Sequence, residues 1–272
     1  MQIRVTDENT ITEAALDQMS TTADPRLKEI MDSLVRHLHA FAREVDLKPE
    51  EWLDGIKFLS TVGQWCTPVR QEFILLSDVM GISMLVDLLA HARPAAATES
   101  TVFGPFHREG APDLPAGGNI AHLDKDGEPT IVKGRVLSLD GQPIENALLD
   151  VWQTASNGLY DSQDANLNEL HMRGKFRTDA QGRYEFRTTR PVHYQIPSDG
   201  PVGGMLRATS RHAWRPAHIH FAVSAEGYEP VITHIFDSSD PYLKSDAVFA
   251  VKESLVREFG PTVEFDFRLA PL

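Results

Sequence analysis

The sequence predicts an α+β protein in which an all-α amino-terminal domain, residues 1–98, precedes an antiparallel β-sandwich, residues 99–272. Two observations lead to this prediction. Apolar residues recur at helical spacing up to about residue 93, where the helical periodicity stops. Beyond that point short apolar or alternating runs are separated by turn-rich segments with no helices between them, a pattern typical of an antiparallel sandwich.

Four helices are predicted in the first domain. Residues 10–13 (TITE) have the form of a capping box and predict a short helix. Asp24 followed by Pro25 predicts the start of an amphipathic helix, and Pro49 opens a third. The fourth spans about 69–90 and is apolar on more than one face, so we expect it to be buried on two sides.

The second domain is predicted to contain an irregular, apolar-rich segment followed by a series of short strands. The irregular segment covers residues 102–118 and is rich in proline and glycine. The strands are expected in the runs 131–137, 147–152, 175–178, 183–187, 205–208, 217–223, 231–236 and 263–268.

Composition excludes several classes of function. A net charge of −13 argues against a nucleic-acid surface or an anionic membrane as partner. Cys66 is the only cysteine, so the chain has neither an internal disulfide nor a thiolate cluster for a metal. The first ten residues, MQIRVTDENT, lack the apolar stretch of a signal peptide, and we expect a cytoplasmic protein.

The segment RPAHIHF, residues 215–221, contains the strongest candidate for a metal site. Side chains two apart leave the same face of a strand, so His218 and His220 can converge while Ile219 faces the opposite layer. Imidazole suits zinc, copper, iron and nickel alike, so the pair does not identify the metal.

Two of the five tyrosines lie in turn-rich contexts upstream of these histidines. Tyr160 ends SNGLY and Tyr194 lies within RPVHYQIPSDGPVG. Phenol titrates near pH 10, so a buried tyrosinate at neutral pH requires a strong Lewis acid beside it. Ferric iron meets that requirement, because two phenolates and one hydroxide balance its charge and two neutral histidines complete five ligands.

These motifs together resemble the intradiol ring-cleavage dioxygenase family over nearly the whole chain. LDVWQTASNGLYD and VHYQIP resemble the segments that supply the two tyrosinates in that family. The resemblance implies that Tyr160, Tyr194, His218 and His220 bind Fe(III), one ion per subunit. It also implies that Tyr194 leaves the metal and takes a substrate proton, and that dioxygen opens an aromatic diol between its hydroxyls.

The resemblance makes Arg215 a permanent cation beside the substrate ring. By spacing alone, a residue three positions before His218 projects to the opposite side unless the Arg-Pro bend redirects it. The ring pocket implied by the family consists of Leu75, Asp78, Val102, Phe103, Gly104, Pro105, Phe106, Ile196, Pro197, Arg215, His234 and Val248. Without the resemblance, plain core packing is the better interpretation of the apolar members.

Two features favour hydroxyquinol (benzene-1,2,4-triol) as the substrate. His234 stands where a catechol dioxygenase commonly has glutamine, and VFGPF at 102–106 resembles the hydroxyquinol-cleaving members. Asp78 is the natural partner for the third hydroxyl, since a carboxylate accepts from O–H. Catechol or a chlorocatechol remains the alternative substrate.

The family also implies a homodimer formed through the helical domain, with a phospholipid in an apolar tunnel. The two-faced helix at 69–90 is compatible with both, although ordinary burial would look the same.

Two other classes of protein compete with the dioxygenase. A non-catalytic β-sandwich that binds ligands explains the strands but not the two tyrosine segments together with Arg215. A zinc hydrolase lacks a third His, Glu or Cys at familiar spacing.

Overall fold

The computed structural model describes residues 7–67, 70–91, 94–167 and 170–272. The chain divides into two compact units, the first ending at Thr61 and the second beginning at Val62.

The first unit is helical. It contains α1 (Ile11–Gln18), α2 (Pro25–Glu44) and most of α3 (Pro49–Gln64). The predicted cap of α2 is confirmed, because the Asp24 carboxylate accepts hydrogen bonds from the backbone N–H groups of Arg26 and Leu27. The capping box predicted at Thr10 is wrong: α1 starts there, but the Thr10 hydroxyl pairs with the Asp7 carboxylate instead of capping the helix.

The single helix predicted at 69–90 is in fact two helices, α4 (Glu72–Val79) and α5 (Ile82–Ala90). The break is at Gly81, whose φ of +76° lies in the left-handed region. A residue in this conformation cannot continue a right-handed helix. The start predicted at Val69 lies outside the described residues. Within the described residues, no single helix is long and apolar enough to cross a membrane. Helices α4 and α5 meet the length and composition limits only when they are taken together, and they are bent by 76° relative to each other.

The described residues of the second unit contain twelve short strands. They are β1 (Gly118–Asn119), β2 (Pro129–Ser138), β3 (Leu148–Trp152), β4 (Arg173–Arg177), β5 (Arg183–Thr189), β6 (Tyr194–Gln195), β7 (Trp214–Arg215), β8 (His218–Ser224), β9 (Val231–Asp237), β10 (Val256–Arg257), β11 (Thr262–Glu264) and β12 (Phe267–Leu269).

The strand predicted at 205–208 is wrong, because these residues end a helix, α6 (Pro201–Ala208). Pro201 occupies the first turn, where its missing N–H costs nothing. The buried Glu72 carboxylate accepts a hydrogen bond of 3.1 Å from the Val202 N–H and so satisfies one of the free donors of the helix start.

The strands form two five-stranded sheets and one two-stranded pair. The first sheet has the order β1-β5-β2-β11, with β12 also on β2; the second has the order β10-β9-β8-β3-β4; β6 pairs with β7. The central pairings are antiparallel, but β1 on β5, β10 on β9, and β11 and β12 on β2 are parallel. The sheets are therefore mixed, and the expectation of purely antiparallel pairing is wrong for these short edge strands.

One hydrophobic core joins the two sheets. Phe186 of the first sheet lies 6.1 Å from Phe221 of the second, and Phe221 lies 5.0 Å from Phe267, measured between ring centroids. Ile219 faces this core, as predicted. Because side chains alternate along a strand, the histidines on either side of Ile219 leave the opposite face of β8.

Candidate metal centre

Two phenol oxygens and two imidazole nitrogens meet in the second unit. Tyr160 Oη lies 3.0 Å from His220 Nε2 and 3.5 Å from Tyr194 Oη. His220 Nε2 in turn lies 3.1 Å from His218 Nε2. All four side chains are buried, so bulk water does not reach the donor atoms.

Strand β8 positions the two histidines. His218 Nδ1 lies 2.6 Å from the carbonyl oxygen of Pro216, which can only accept a hydrogen bond, so the ring proton is on Nδ1 and Nε2 presents a lone pair. The ring of His220 stacks on Trp152, with centroids 4.7 Å apart and planes 15° apart. The sheet register explains this stack, because Trp152 of β3 is the direct partner of His220.

The loop that follows β3 carries Tyr160. Gly158 has a φ of +78°, as the predicted Asn-Gly turn requires. The Tyr160 ring stacks on Phe106 at a centroid distance of 4.4 Å, and its backbone N–H donates to Gln163 Oε1 at 3.1 Å. These contacts hold both the ring face and the backbone of Tyr160 in place.

The β6–β7 pair brings Tyr194 and Arg215 side by side, since they are direct partners in its register. Arg215 Nη1 lies 3.4 Å from Tyr194 Oη and 3.3 Å from His218 Nε2. The Arg-Pro bend between β7 and β8 therefore turns the guanidinium toward the histidines, as the sequence had left open.

Asp246 is a site residue that sequence reasoning missed. Its Oδ1 accepts from Arg215 Nε at 3.1 Å, and both side chains are buried. Burial lowers the pKa of Arg215, but the charge and hydrogen bond of Asp246 together with the nearby Tyr194 and Tyr160 outweigh it, so the net direction is upward and the guanidinium keeps its charge. No pattern in the sequence connects two residues 31 positions apart.

Burial is the largest influence on the pKa values of Tyr160, His218 and His220. Burial raises the pKa of Tyr160 well above its ordinary value, and the neighbouring Tyr194 adds to the rise. Burial also lowers the pKa of His218 and His220 well below the ordinary value, with the charge of Arg215 acting in the same direction. The protein alone therefore holds a neutral phenol and two neutral imidazoles, whose lone pairs suit a cation rather than extra protons.

A third histidine lies beside this group. His234 on β9 is the direct partner of His220, and the two rings lie 4.0 Å apart. The candidate ligand atoms of His218, His220 and His234 all lie within 4.8 Å of one another. His234 Nδ1 contacts the Thr101 hydroxyl, while within the described residues its Nε2 and the Nδ1 of His220 have no hydrogen-bond partner. Strand register, which sequence spacing does not reveal, brings this residue to the site.

A small cavity adjoins the donor atoms, and most of the predicted pocket residues line it. The lining consists of Leu75, Asp78, Val102, Gly104, Pro105, Phe106, Tyr194, Ile196, Arg215 and Val248. Pro197 lines a neighbouring outer cavity of about 140 Å³, which shares Leu75, Pro105 and Phe106 with the inner one.

Phe103 and His234 are the two predicted pocket residues that the described lining does not contain. Phe103 packs instead against His107 and Trp152, at 4.7 and 5.6 Å between ring centroids. Two larger cavities, of about 500 and 580 Å³, contain none of the four predicted ligands, so size alone does not locate the site.

Comparison with known proteins identifies the family. Residues 103–269 match the family model described as dioxygenase, and residues 24–98 match the one described as catechol dioxygenase N terminus. The chain belongs to the intradiol dioxygenase family. This assignment confirms the resemblance and excludes the non-catalytic sandwich.

Curated relatives of this dioxygenase carry informative names. It is 51% identical to hydroxyquinol 1,2-dioxygenase of Rhizobium sp. (strain MTP-10005), over 91% of this chain and 84% of the relative. It is 49% identical to 6-chlorohydroxyquinol 1,2-dioxygenase of Cupriavidus pinatubonensis, over 97% of this chain and 98% of the relative.

A solved structure is similar over nearly its whole length. Hydroxyquinol 1,2-dioxygenase from Pseudomonas putida DLL-E4 superposes with a TM-score of 0.93 at 48% identity, covering 97% of this chain and 99% of that one. Intradiol dioxygenases depend on iron, and the donor set of this dioxygenase suits a metal ion, since two phenol oxygens and the Nε2 atoms of two neutral imidazoles converge.

Proposed function

We propose that this dioxygenase binds one Fe(III) per subunit through Tyr160, Tyr194, His218 and His220, and cleaves hydroxyquinol with O2 between its vicinal hydroxyls. The product is 3-hydroxy-cis,cis-muconate (maleylacetate), in which both oxygen atoms of O2 are retained. The observation that carries the proposal is the convergence of the two phenol oxygens and two imidazole nitrogens within 3.0–3.5 Å contacts.

The proposed ligands suit a trivalent hard cation. Two phenolates supply negative charge that a divalent zinc site does not need, and the neutral imidazoles add none. When bound, ferric iron supplies the Lewis acidity that makes the electron-rich ring of a diol open to attack by O2.

Tyr194 and Arg215 are proposed to have separate roles in the reaction, proton transfer for Tyr194 and charge stabilisation for Arg215. Tyr194 Oη is proposed to take a proton from a substrate hydroxyl, because it lies in the lining of the inner cavity. Arg215 stabilises negative charge on the ring, since its Nη1 points into the same space and the buried guanidinium stays charged. A preorganised charge of this kind lowers a barrier by about 3 kcal/mol.

Asp78 is proposed to select the triol. The carboxylate is buried in the inner-cavity lining, where a third hydroxyl can donate to it. Catechol lacks that hydroxyl, so the carboxylate, which pairs with the Ser83 side chain, loses the additional donor that the triol offers. The names of the relatives support the same substrate class.

Steady-state kinetics on iron-loaded protein test the proposal. We expect kcat/KM for hydroxyquinol to exceed that for catechol and for 4-chlorocatechol by more than tenfold, with ring-opened product identified by mass spectrometry. A tenfold preference for catechol would instead establish the alternative, a catechol 1,2-dioxygenase.

A divalent ion held by His218, His220 and His234 is the second candidate, because the three rings form a cluster. Colour distinguishes the two sites. Tyrosinate-to-iron charge transfer makes the ferric protein wine-red, whereas a three-histidine zinc site is colourless.

We also propose that residues 1–98 form a helical dimerisation and linker domain and residues 99–272 an iron-binding catalytic sandwich, whose two layers are the sheets that share one core. The exposed apolar residues of α2 support a homodimer through the helical part, with a phospholipid bound at that interface. The cytoplasm is the proposed location, consistent with a chain that has a single cysteine.

A further inference from the structure

Asp246 is a buried carboxylate for which the reaction as described has no role. It is 5% exposed, and its only side-chain ion pair among the described residues is with Arg215. Oδ1 lies 3.1 Å from Arg215 Nε and Oδ2 lies 3.5 Å from Nη2, so the carboxylate faces one edge of the guanidinium.

The backbone around Asp246 fixes this carboxylate. The N–H of Val248 donates to Oδ1 at 3.3 Å and the N–H of Ala250 donates to Oδ2 at 3.0 Å. Phe249 adopts a left-handed φ of +61°, and its N–H donates to the Asp246 carbonyl at 3.1 Å, which closes the turn. A carboxylate with both oxygens held by the main chain cannot follow a moving partner.

The turn is also attached to the strand that carries Arg215. The N–H of Ala247 donates to the carbonyl of Trp214 in β7 at 3.1 Å. Val248, in the middle of the turn, lines the inner cavity. The turn therefore connects the position of the guanidinium with one wall of the cavity.

The guanidinium is planar, so an anchor on the Nε–Nη2 edge determines where the third nitrogen points. In this chain that nitrogen, Nη1, points at Tyr194 Oη and His218 Nε2, at 3.4 and 3.3 Å. Without the anchor, the long arginine side chain has other rotamers in which Nη1 leaves the cavity.

We propose that Asp246 is a positioning residue for ring cleavage: it aims Arg215 Nη1 at the reacting centre and offsets the guanidinium charge that is buried there. The inference rests on the proposed function, since it assigns a role within that site. Among the described residues, Asp246 is neither a lining residue of the cavity nor hydrogen-bonded to a proposed ligand; it contacts the lining through Arg215 and Val248.

Asp246→Asn tests the proposal, because the amide keeps the size but loses the charge. We expect iron content to be unchanged and kcat on hydroxyquinol to fall about 10- to 100-fold, as for other partners of functional groups. KM should stay within about threefold, and the tyrosinate-to-iron band should shift, because Nη1 no longer holds its place beside Tyr194 Oη.

Asp237→Asn is the matched control. Asp237 is also a buried carboxylate, and it accepts from Arg190 Nε at 2.7 Å, away from the cavity lining. The Asp237→Asn variant should have a lower melting temperature but an unchanged tyrosinate-to-iron band and an unchanged kcat. Equal losses in both variants, or an unchanged kcat and band in Asp246→Asn, would overturn the proposal.

The double variant Arg215→Gln/Asp246→Asn covers the case in which Asp246→Asn does not fold. Removing both charges avoids an uncompensated buried ion, so the double variant should fold. If Asp246 acts only through Arg215, the double variant should have the same kcat and the same tyrosinate-to-iron band as Arg215→Gln. A further loss of kcat in the double variant would show an independent role of Asp246 and refute the inference. Wild-type protein that stays colourless with iron would refute the proposed function instead.

Discussion

At the level of single residues, burial is the largest influence on the pKa values of three of the proposed ligands. Tyr160 is buried in a site where burial raises its pKa, and His218 and His220 are buried where burial lowers theirs. These residues were predictable, because the strand period and the turn signals are local. Asp246 and Trp152 were not, because a loop geometry and a strand register, rather than spacing, bring them to Arg215 and His220.

Asp78→Ala should remove the preference for the triol. We expect kcat/KM for hydroxyquinol to fall roughly thirtyfold, which corresponds to about 2 kcal/mol, while that for catechol stays level or rises, because catechol has no third hydroxyl to donate to the carboxylate. Asp87→Asn, a buried carboxylate on α5 that bonds Ser100 outside the cavity lining, is the control and should change neither value. Parallel losses on both substrates would contradict the assigned role of Asp78.

Secondary-structure elements were predicted correctly where the hydrophobic pattern is strong, and were misassigned where a single residue determines the start or the end of a helix. Strands β2, β3, β8 and β9 follow alternating or apolar runs and were located correctly. Gly81 splits the fourth predicted helix, and Pro201 starts α6 in a segment rich in glycine. In both cases a single backbone preference outweighs the apolar pattern around it.

Asp124 ties together three segments around the Tyr160 loop. Its carboxylate accepts from the Ser156 N–H at 2.9 Å and from the Thr189 hydroxyl, at the end of β5, at 2.8 Å. Burial acts to raise the pKa of Asp124, but a hydrogen bond from the Ser156 hydroxyl, these two hydrogen bonds and the nearby His171 together outweigh it and hold the pKa below its ordinary value of 3.8. The ionised carboxylate therefore stabilises the fold above that ordinary value, and its contribution is lost as the pH falls through the lowered pKa.

Asp124→Asn should accordingly lower the free energy of unfolding by about 1 kcal/mol near pH 7, with a smaller difference below pH 3. Urea unfolding across this range measures it. Asp126→Asn, at an exposed position two residues away, is the control and should match wild type throughout. A deficit that does not change with pH would show that the titration of Asp124 is not the cause.

At the scale of the whole molecule, the helical part leaves apolar surface uncovered. Helix α2 contains no buried residue, and five large apolar side chains along it, together with Val45 just after its end, are 47–54% exposed: Leu27, Ile30, Leu34, Leu38 and Phe41. Their spacing of three and four residues places them in one stripe. The amphipathic pattern was clear in the sequence, but a single chain does not reveal what covers the stripe.

Leu34→Glu/Leu38→Glu should convert the proposed homodimer to single protomers. Two charges in the stripe oppose its removal from water, so sedimentation velocity should show half the mass while circular dichroism stays unchanged. Ser33→Glu adds charge to an exposed position of the same helix outside the stripe and should leave the mass alone. A wild-type chain that sediments as one protomer would refute the dimer.

The division of the chain into a helical first part and a sheet-rich second part was predictable from periodicity alone. The boundary at residues 98 and 99 stays a prediction. The parallel edge pairings were not predictable, because β10, β11 and β12 have only two or three residues and local pattern does not set their direction.

The separation of the proposed ligands along the chain has a consequence for maturation. Tyr160 and His220 touch across 60 positions, and the partner strands β3–β8 and β6–β7 must already be aligned before the four donor atoms face one another. A nascent or half-folded chain has no such cluster to offer. We therefore expect a metal ion to bind only after these strands have paired, and then to stabilise the folded state.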